Sequence, residues 1–124
     1  MKNVALYCLL LLLIACSDST NNSDPVAAAM ERAARECELP IASMGWLLTR
    51  IQESRVDPQS KGYFYSFNTS FGRVIVHQPL IMSCLGCGAY TCEGVLIGER
   101  TSSEREEIIA GIQPSNILYD SFTP

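Results

Sequence analysis

The chain predicts an α+β fold: N-terminal helices, an antiparallel meander of three or four strands and a C-terminal helix, stapled by disulfides. Three observations predict it. Apolar residues recur at helical spacing through residues 26–51, the period changes to two from Gly62, and paired helix-start signals stand at Thr101 and Ser103. Helices before and after a run of strands favour helices on one face of an antiparallel sheet, with the other face left to water or to a partner. At 124 residues there is room for one domain.

The first helix is announced by Asp24-Pro25, since aspartate caps and proline suits the first helical position. Val26, Met30, Ala33, Ala34 and Cys37 then form an alanine-rich stripe that ends before Pro40. So thin a stripe predicts a helix only partly packed, fastened by Cys37. The second helix has a stronger face in Ile41, Met44, Leu47, Leu48 and Ile51, with Ser43 as its expected cap and Trp46 at the core edge. Residues 56–62 read as a loop.

From Gly62 the residues alternate. Tyr63, Tyr65 and Phe67 share one strand face, and Phe64, Ser66 and Asn68 the other. Residues 68–72 turn the chain into a second strand over residues 73–78, and Pro79 forces a bulge, a bend or an edge. Residues 80–82 lead into the cysteine-rich corner, residues 89–92 begin the strand out, and residues 95–97 add a short one. Thr101 with Glu104, and Ser103 with Glu106, have capping-box spacing ahead of Ile108, Ile109 and Ile112. Gly111 and Pro114 end that helix, and residues 115–120 supply an edge strand.

The N-terminus carries a different kind of information. Lys2 precedes a short, almost unbroken apolar run over residues 4–14, too short for a membrane span, which needs ~20 apolar residues. The run ends Leu13-Ile14-Ala15-Cys16, which resembles a bacterial lipobox; the plain alternative is a secretory signal with a chance cysteine. The resemblance implies cleavage before Cys16, diacylglycerol on its sulfur and an acyl group on its amine. Several acyl chains, at ~0.8 kcal/mol per buried methylene, hold a protein on a bilayer where one is marginal. The expected organisation is therefore a signal peptide over 1–15, lipidated Cys16 with a polar tether over 16–24, and one domain over 25–124. Ser17, where an inner-membrane retention aspartate would stand, points to the outer membrane.

With Lys2 lost in the signal, eight basic residues face thirteen acidic ones, a net charge of −5. An acidic chain without a basic stripe speaks against nucleic acid as a partner.

Loss of Cys8 and lipidation of Cys16 leave Cys37, Cys84, Cys87 and Cys92, four cysteines in an exported domain. Two disulfides are the expected outcome, with three connectivities open. If the strands into and out of the corner pair about Gly88, Cys84 meets Cys92 and Cys87 meets Cys37; the near alternative joins Cys87 to Cys92 and Cys37 to Cys84. A redox reading takes Cys84-Leu85-Gly86-Cys87 as a thiol–disulfide site, but no helix-forming stretch follows to lower a thiol pKa. A metal reading uses the four thiolates with His77, against an oxidising compartment and without a second close pair. His77, the only histidine, has Glu93 and Asp57 as its candidate carboxylates by elimination. No phosphate loop, serine-nucleophile elbow or telling carboxylate pair is present, so no catalytic residue, cofactor or metal is assigned.

Residues 37–100 resemble a diffuse group of small bacterial lipoproteins of unknown function. The resemblance rests on Leu39-Pro40 and Trp46-Leu47-Leu48, on Gly62-Tyr63-Phe64-Tyr65, and on Tyr90-Thr91-Cys92-Glu93-Gly94. The chain departs by four extra residues between Pro40 and Gly45. Helix followed by meander also resembles the units of β-lactamase-inhibitor-like proteins, a likeness of fold that does not transfer function. The expected role is a non-enzymatic, lipid-anchored binding or structural module of the cell envelope. Its partners are the bilayer, through Cys16, and an envelope protein or small ligand held on the Tyr63, Tyr65, Phe67 face or the opposite Phe64 face. The alternatives are a thiol-redox or metal-handling protein using Cys84, Cys87 and Cys92, and an inhibitor or immunity-type lipoprotein.

Overall fold

The computed structural model describes residues 24–124; the expected signal peptide, Cys16 and the expected tether through residue 23 lie outside the described residues. Asp24 accepts a hydrogen bond from the Val26 N–H at 3.1 Å and so caps α1 (Pro25–Cys37). A 3₁₀ turn (Ile41–Met44) leads into α2 (Gly45–Val56), followed by strands β1 (Gly62–Thr69), β2 (Gly72–Pro79) and β3 (Ala89–Thr91). Helix α3 (Ser102–Gly111), a second 3₁₀ turn (Pro114–Asn116) and strand β4 (Ile117–Asp120) complete the chain. The four strands form one antiparallel sheet in the order β3-β2-β1-β4. The α+β class and the meander of β1 to β3 thus follow the sequence reading. The last strand closes the sheet along the free edge of β1.

Alternation along β1 divides the core in two. Phe64 and Ile75 pack beneath α1 and α2, against Met30, Ala33, Met44, Leu47 and Ile51. Tyr65, Phe67, Val74 and Val76 form a second core with Ala89 and Ile108. The sheet is therefore covered on both faces, not on one. The physical reason lies in α3: Ile108 and Ile112 need burial, and the long connection after β3 carries them to the far side of the sheet. Gly111, expected only to end this helix, lets its backbone approach Phe67; a Cβ there would fall 2.1 Å from the ring.

Two local expectations are corrected. The stripe of α1 is fully packed, with Val26, Ala29, Met30, Ala33 and Ala34 all buried, because small side chains let the helix lie close against its neighbours. Ile41 is exposed and Ser43 makes no cap, because Pro40 holds an extended backbone and the chain starts with a 3₁₀ turn before entering α2. The capping box of Thr101 and Glu104 is formed in both directions.

Charge ties the layers together. Glu36 of α1 accepts hydrogen bonds from Arg32 Nε (2.8 Å), Ser66 Oγ (2.7 Å) and Arg73 (3.0 Å), the last two from β1 and β2. Burial raises the Glu36 pKa, but the hydrogen bonds from Arg32 and Ser66 and the charges of Arg32 and Arg73 outweigh it and bring the pKa below 4.5. The carboxylate is a satisfied structural group.

Candidate functional site

Strand β3 does not pair with residues leading into the corner. It pairs back on β2, with Val76 opposite Ala89, Ile75 opposite Tyr90 and Val74 opposite Thr91, while the His77 N–H donates to Gly88 O at 2.9 Å. Residues 80–88 are thus an excursion between two paired strands, and Cys92 lies beyond the opposite end of β3. This register defeats both expected pairings. The disulfides are Cys37–Cys92 and Cys84–Cys87, with Cα atoms 5.7 and 5.6 Å apart, the third of the three connectivities.

The two bonds have different surroundings. Cys37 and Cys92 are half-buried, and Cys37 packs on the α1–α2 core. Trp46 Nε1 donates to Cys92 O at 3.1 Å, and Gly94, at φ +85°, turns the chain beneath the indole. Cys84 and Cys87 are both exposed. They line a cavity of about 400 Å³ together with Leu85, Glu99, Arg100 and Arg105.

Gly86, between them, is buried and held from two sides. Its N–H donates to Gln78 Oε1 at 2.8 Å, and its carbonyl accepts from Arg100 at 3.1 Å. Its φ of +75° suits glycine, and a Cβ there would meet Ile108 at 2.9 Å. Arg100 also donates to Ile97 O at 3.0 Å, and its Nε is buried with no acceptor among the described residues. Burial, with the neighbouring charge of Arg105, lowers the Arg100 pKa below its ordinary value, and Glu104 opposes the shift.

His77 marks a second cavity, of about 410 Å³, on the other side of the excursion; Arg50, Asp57, Ser60, Ile81, Met82 and Tyr90 are among its lining. The imidazole is buried and stacks on Phe64, with centroids 4.2 Å apart and planes 4° apart. Its Nε2 lies 2.8 Å from Ser60 O, a carbonyl that only accepts, so Nε2 carries the proton. Asp57 shares the cavity but supplies no hydrogen bond to the ring; Glu93 lines a different one. A stacked, backbone-bonded histidine is a structural group.

Burial lowers the His77 pKa from 6.5, more than the Ser60 hydrogen bond raises it. The folded ring therefore resists a proton that the unfolded chain accepts. The stability this gives is present above 6.5 and is lost as the pH falls through the folded pKa. We expect the urea midpoint to fall between about pH 7 and about pH 5, and His77→Gln to flatten that interval. Glu36 acts in a separate window below 4.5. An unchanged slope in the variant would reassign the pH dependence to other groups.

Of the expected contact residues, Tyr65 and Phe67 are buried beneath α3 and Tyr63 is half-buried against Tyr65 and Phe122. Phe64 is fully buried, so of the expected contact residues Tyr63 alone keeps partial exposure. Of the exposed large apolar residues, four gather in the excursion, where Leu80 is 63% and Ile81 68% exposed and Met82 and Leu85 are also exposed; Ile41, Val56, Phe71, Ile109 and Phe122 lie elsewhere. Val95 and Leu96, beside β3, extend the exposed set. Among the described residues no group of three or more His, Cys, Asp or Glu could hold a metal ion, and no helix is long and apolar enough to cross a membrane. No protein-family model, curated protein or solved structure matches the chain. Sequence reading missed Gln78, Gly86 and Arg100. Only the glycine between two cysteines carried a local signal; the other two act through contacts distant in sequence.

Proposed function

We propose that the chain is a lipid-anchored, non-enzymatic binding module on the exported side of a bacterial cell envelope. Cys16 is its anchor, and residues 80–96 around the β3 edge are its contact surface. The observation that carries this reading is the exposed apolar excursion. Leu80, Ile81, Met82 and Leu85 stand out from a loop whose backbone is fixed by Gln78, Arg100 and the Cys84–Cys87 bond. A loop fixed beforehand loses little entropy on binding, which favours affinity over a mobile one. Large apolar side chains grouped beside a strand edge suit a protein partner. The lipobox-like ending at Cys16 and the unbroken polarity of residues 17–24 support a tethered arrangement, and Ser17 supports the outer membrane.

The test has two arms. Cys16→Ser should move the protein from the membrane to the soluble fraction, and the native N-terminal peptide should carry the mass of the acyl groups. Photocrosslinking residues placed at Ile81 and Leu85 should give one discrete adduct in cells, and the same residue at exposed Val56 should give none. Equal labelling from all three positions removes the surface; a soluble native protein removes the anchor. An envelope hydrolase in the adduct would assign the inhibitor or immunity-type role.

A further inference from the structure

We propose that Cys84 and Cys87 form a thiol–disulfide exchange centre acting on exposed dithiols of exported proteins, while Cys37–Cys92 is a permanent staple. Both sulfurs of the pair belong to exposed residues and open on one cavity, so an attacking thiolate has access. The turn that joins them also has supports outside the bond. Gly86 is pinned by Gln78 on its N–H, by Arg100 on its carbonyl and by Ile108 against its α-carbon, and the Cys87 N–H donates to Cys84 O at 3.4 Å. Breaking the bond therefore leaves the two thiols side by side. Reduction releases little chain entropy, and closure needs little reordering. A structural cross-link has the opposite design: Cys37 and Cys92 are separated by 55 residues, and their bond restrains two distant elements.

The charges around the pair suit the chemistry. Thiol exchange proceeds through thiolates, and cations beside a cysteine favour that form. Arg100 and Arg105 line the cavity with one carboxylate, Glu99, opposing them. These guanidinium groups take the place of the helix N-terminus that the sequence lacks here. Arg100 is a positioning residue as well, since it holds the carbonyl of Gly86.

The exchange is written in two steps. One thiolate of the substrate dithiol attacks a sulfur of the Cys84–Cys87 bond; a mixed disulfide forms, and the other cysteine leaves as thiolate. The second substrate thiolate then attacks the mixed disulfide at the substrate sulfur, which forms the substrate disulfide and expels the bound cysteine. Two electrons pass from substrate to protein, and the two substrate protons end on Cys84 and Cys87. Oxidised glutathione, as disulfide co-reactant, reverses the protein's change and becomes two molecules of reduced glutathione. Leu85 and Ile97, which line the same cavity, give the site an apolar wall for an unfolded or extended chain. The inference rests on the exported location proposed above, replaces the non-enzymatic part of that reading with an exchange activity, and holds whether or not the Ile81 surface has a stable partner.

The experiment uses the full exported chain in detergent. It is exposed to graded dithiothreitol, alkylated and mapped by mass spectrometry, with circular dichroism in parallel. Cys84 and Cys87 should become alkylatable at least about tenfold faster than Cys37 and Cys92, with the spectrum unchanged, and oxidised glutathione should restore the bond. The native protein should also oxidise a reduced dithiol peptide one for one, and the Cys84→Ser/Cys87→Ser variant should not. Arg105→Gln, which removes an exposed cation from the cavity and leaves the hydrogen bonds to Gly86 in place, should slow the exchange with dithiothreitol and leave the thermal midpoint of the oxidised protein within a few degrees. Reduction of both bonds together, only as the spectrum collapses, would overturn the proposal. So would a reducible pair that transfers nothing to the peptide.

Discussion

Replacing Cys37 and Cys92 together with serine is expected to destabilise the domain by about 3–4 kcal/mol, a thermal midpoint lower by roughly 15–25 °C for a domain of this size. The bond joins the last residue of α1 to the residue after β3, across 55 positions, and chain-entropy reasoning places its upper contribution near ~4 kcal/mol. The same reasoning for the four-residue loop of Cys84–Cys87 yields only ~2 kcal/mol, and the clamps on Gly86 retain part of that order without the bond. The two double variants should therefore separate clearly in thermal or urea unfolding followed by circular dichroism. Equal losses, or a larger one for Cys84 and Cys87, would show that the staple has been placed on the wrong pair. The loss at Cys37–Cys92 is large against a total stability of order 5–15 kcal/mol, so part of the variant is expected to be unfolded near 37 °C.

Phe64→Ala should cost about 3–5 kcal/mol, the range for truncating a fully buried aromatic residue. Phe64 is completely buried beneath α1 and α2, stacks on His77 and meets Tyr119 of β4 edge-on at 6.1 Å. It links both helices to three of the four strands. The cavity left in the variant would open beside the imidazole and weaken the burial that lowers the His77 pKa. A histidine titration followed by NMR should therefore move back toward 6.5 in the variant, alongside the loss of stability. A loss below about 1 kcal/mol, with an unmoved titration, would mean that the neighbouring side chains collapse into the space.

Much of the fold was legible because its signals are local. Asp24-Pro25, the box of Thr101 and Glu104, and the alternation from Tyr63 to Phe67 act within a few residues, and each element formed where it was expected. The alternation also sorted Phe64 from Tyr65 and Phe67 correctly between the two faces. It carried no information about what would lie on those faces. An isoleucine face in α3 reads the same whether the helix shares a layer with α1 and α2 or crosses the sheet. The aromatic surface expected at Tyr65 and Phe67 accordingly became a core.

The cysteines failed for a related reason. Pairing Cys84 with Cys92 treats residues 80–92 as one hairpin about Gly88, the simplest arrangement of two short strands. Residues 80–82 form no strand, and β3 pairs with β2 instead. The resulting displacement carries Cys92 toward α1 and leaves Cys84 and Cys87 facing one another.

What the sequence by itself determined is local: the succession of helices and strands, the helix caps, and the face on which each strand residue lies. Tertiary structure alone decided which layer covers which face, which cysteines join, and where apolar side chains stay exposed. Local signals arise from steric and hydrogen-bonding preferences of neighbouring residues, which the chain carries with it. The other choices depend on register and crossover, where residues such as Gln78, Gly86 and Arg100 meet only after the sheet has formed.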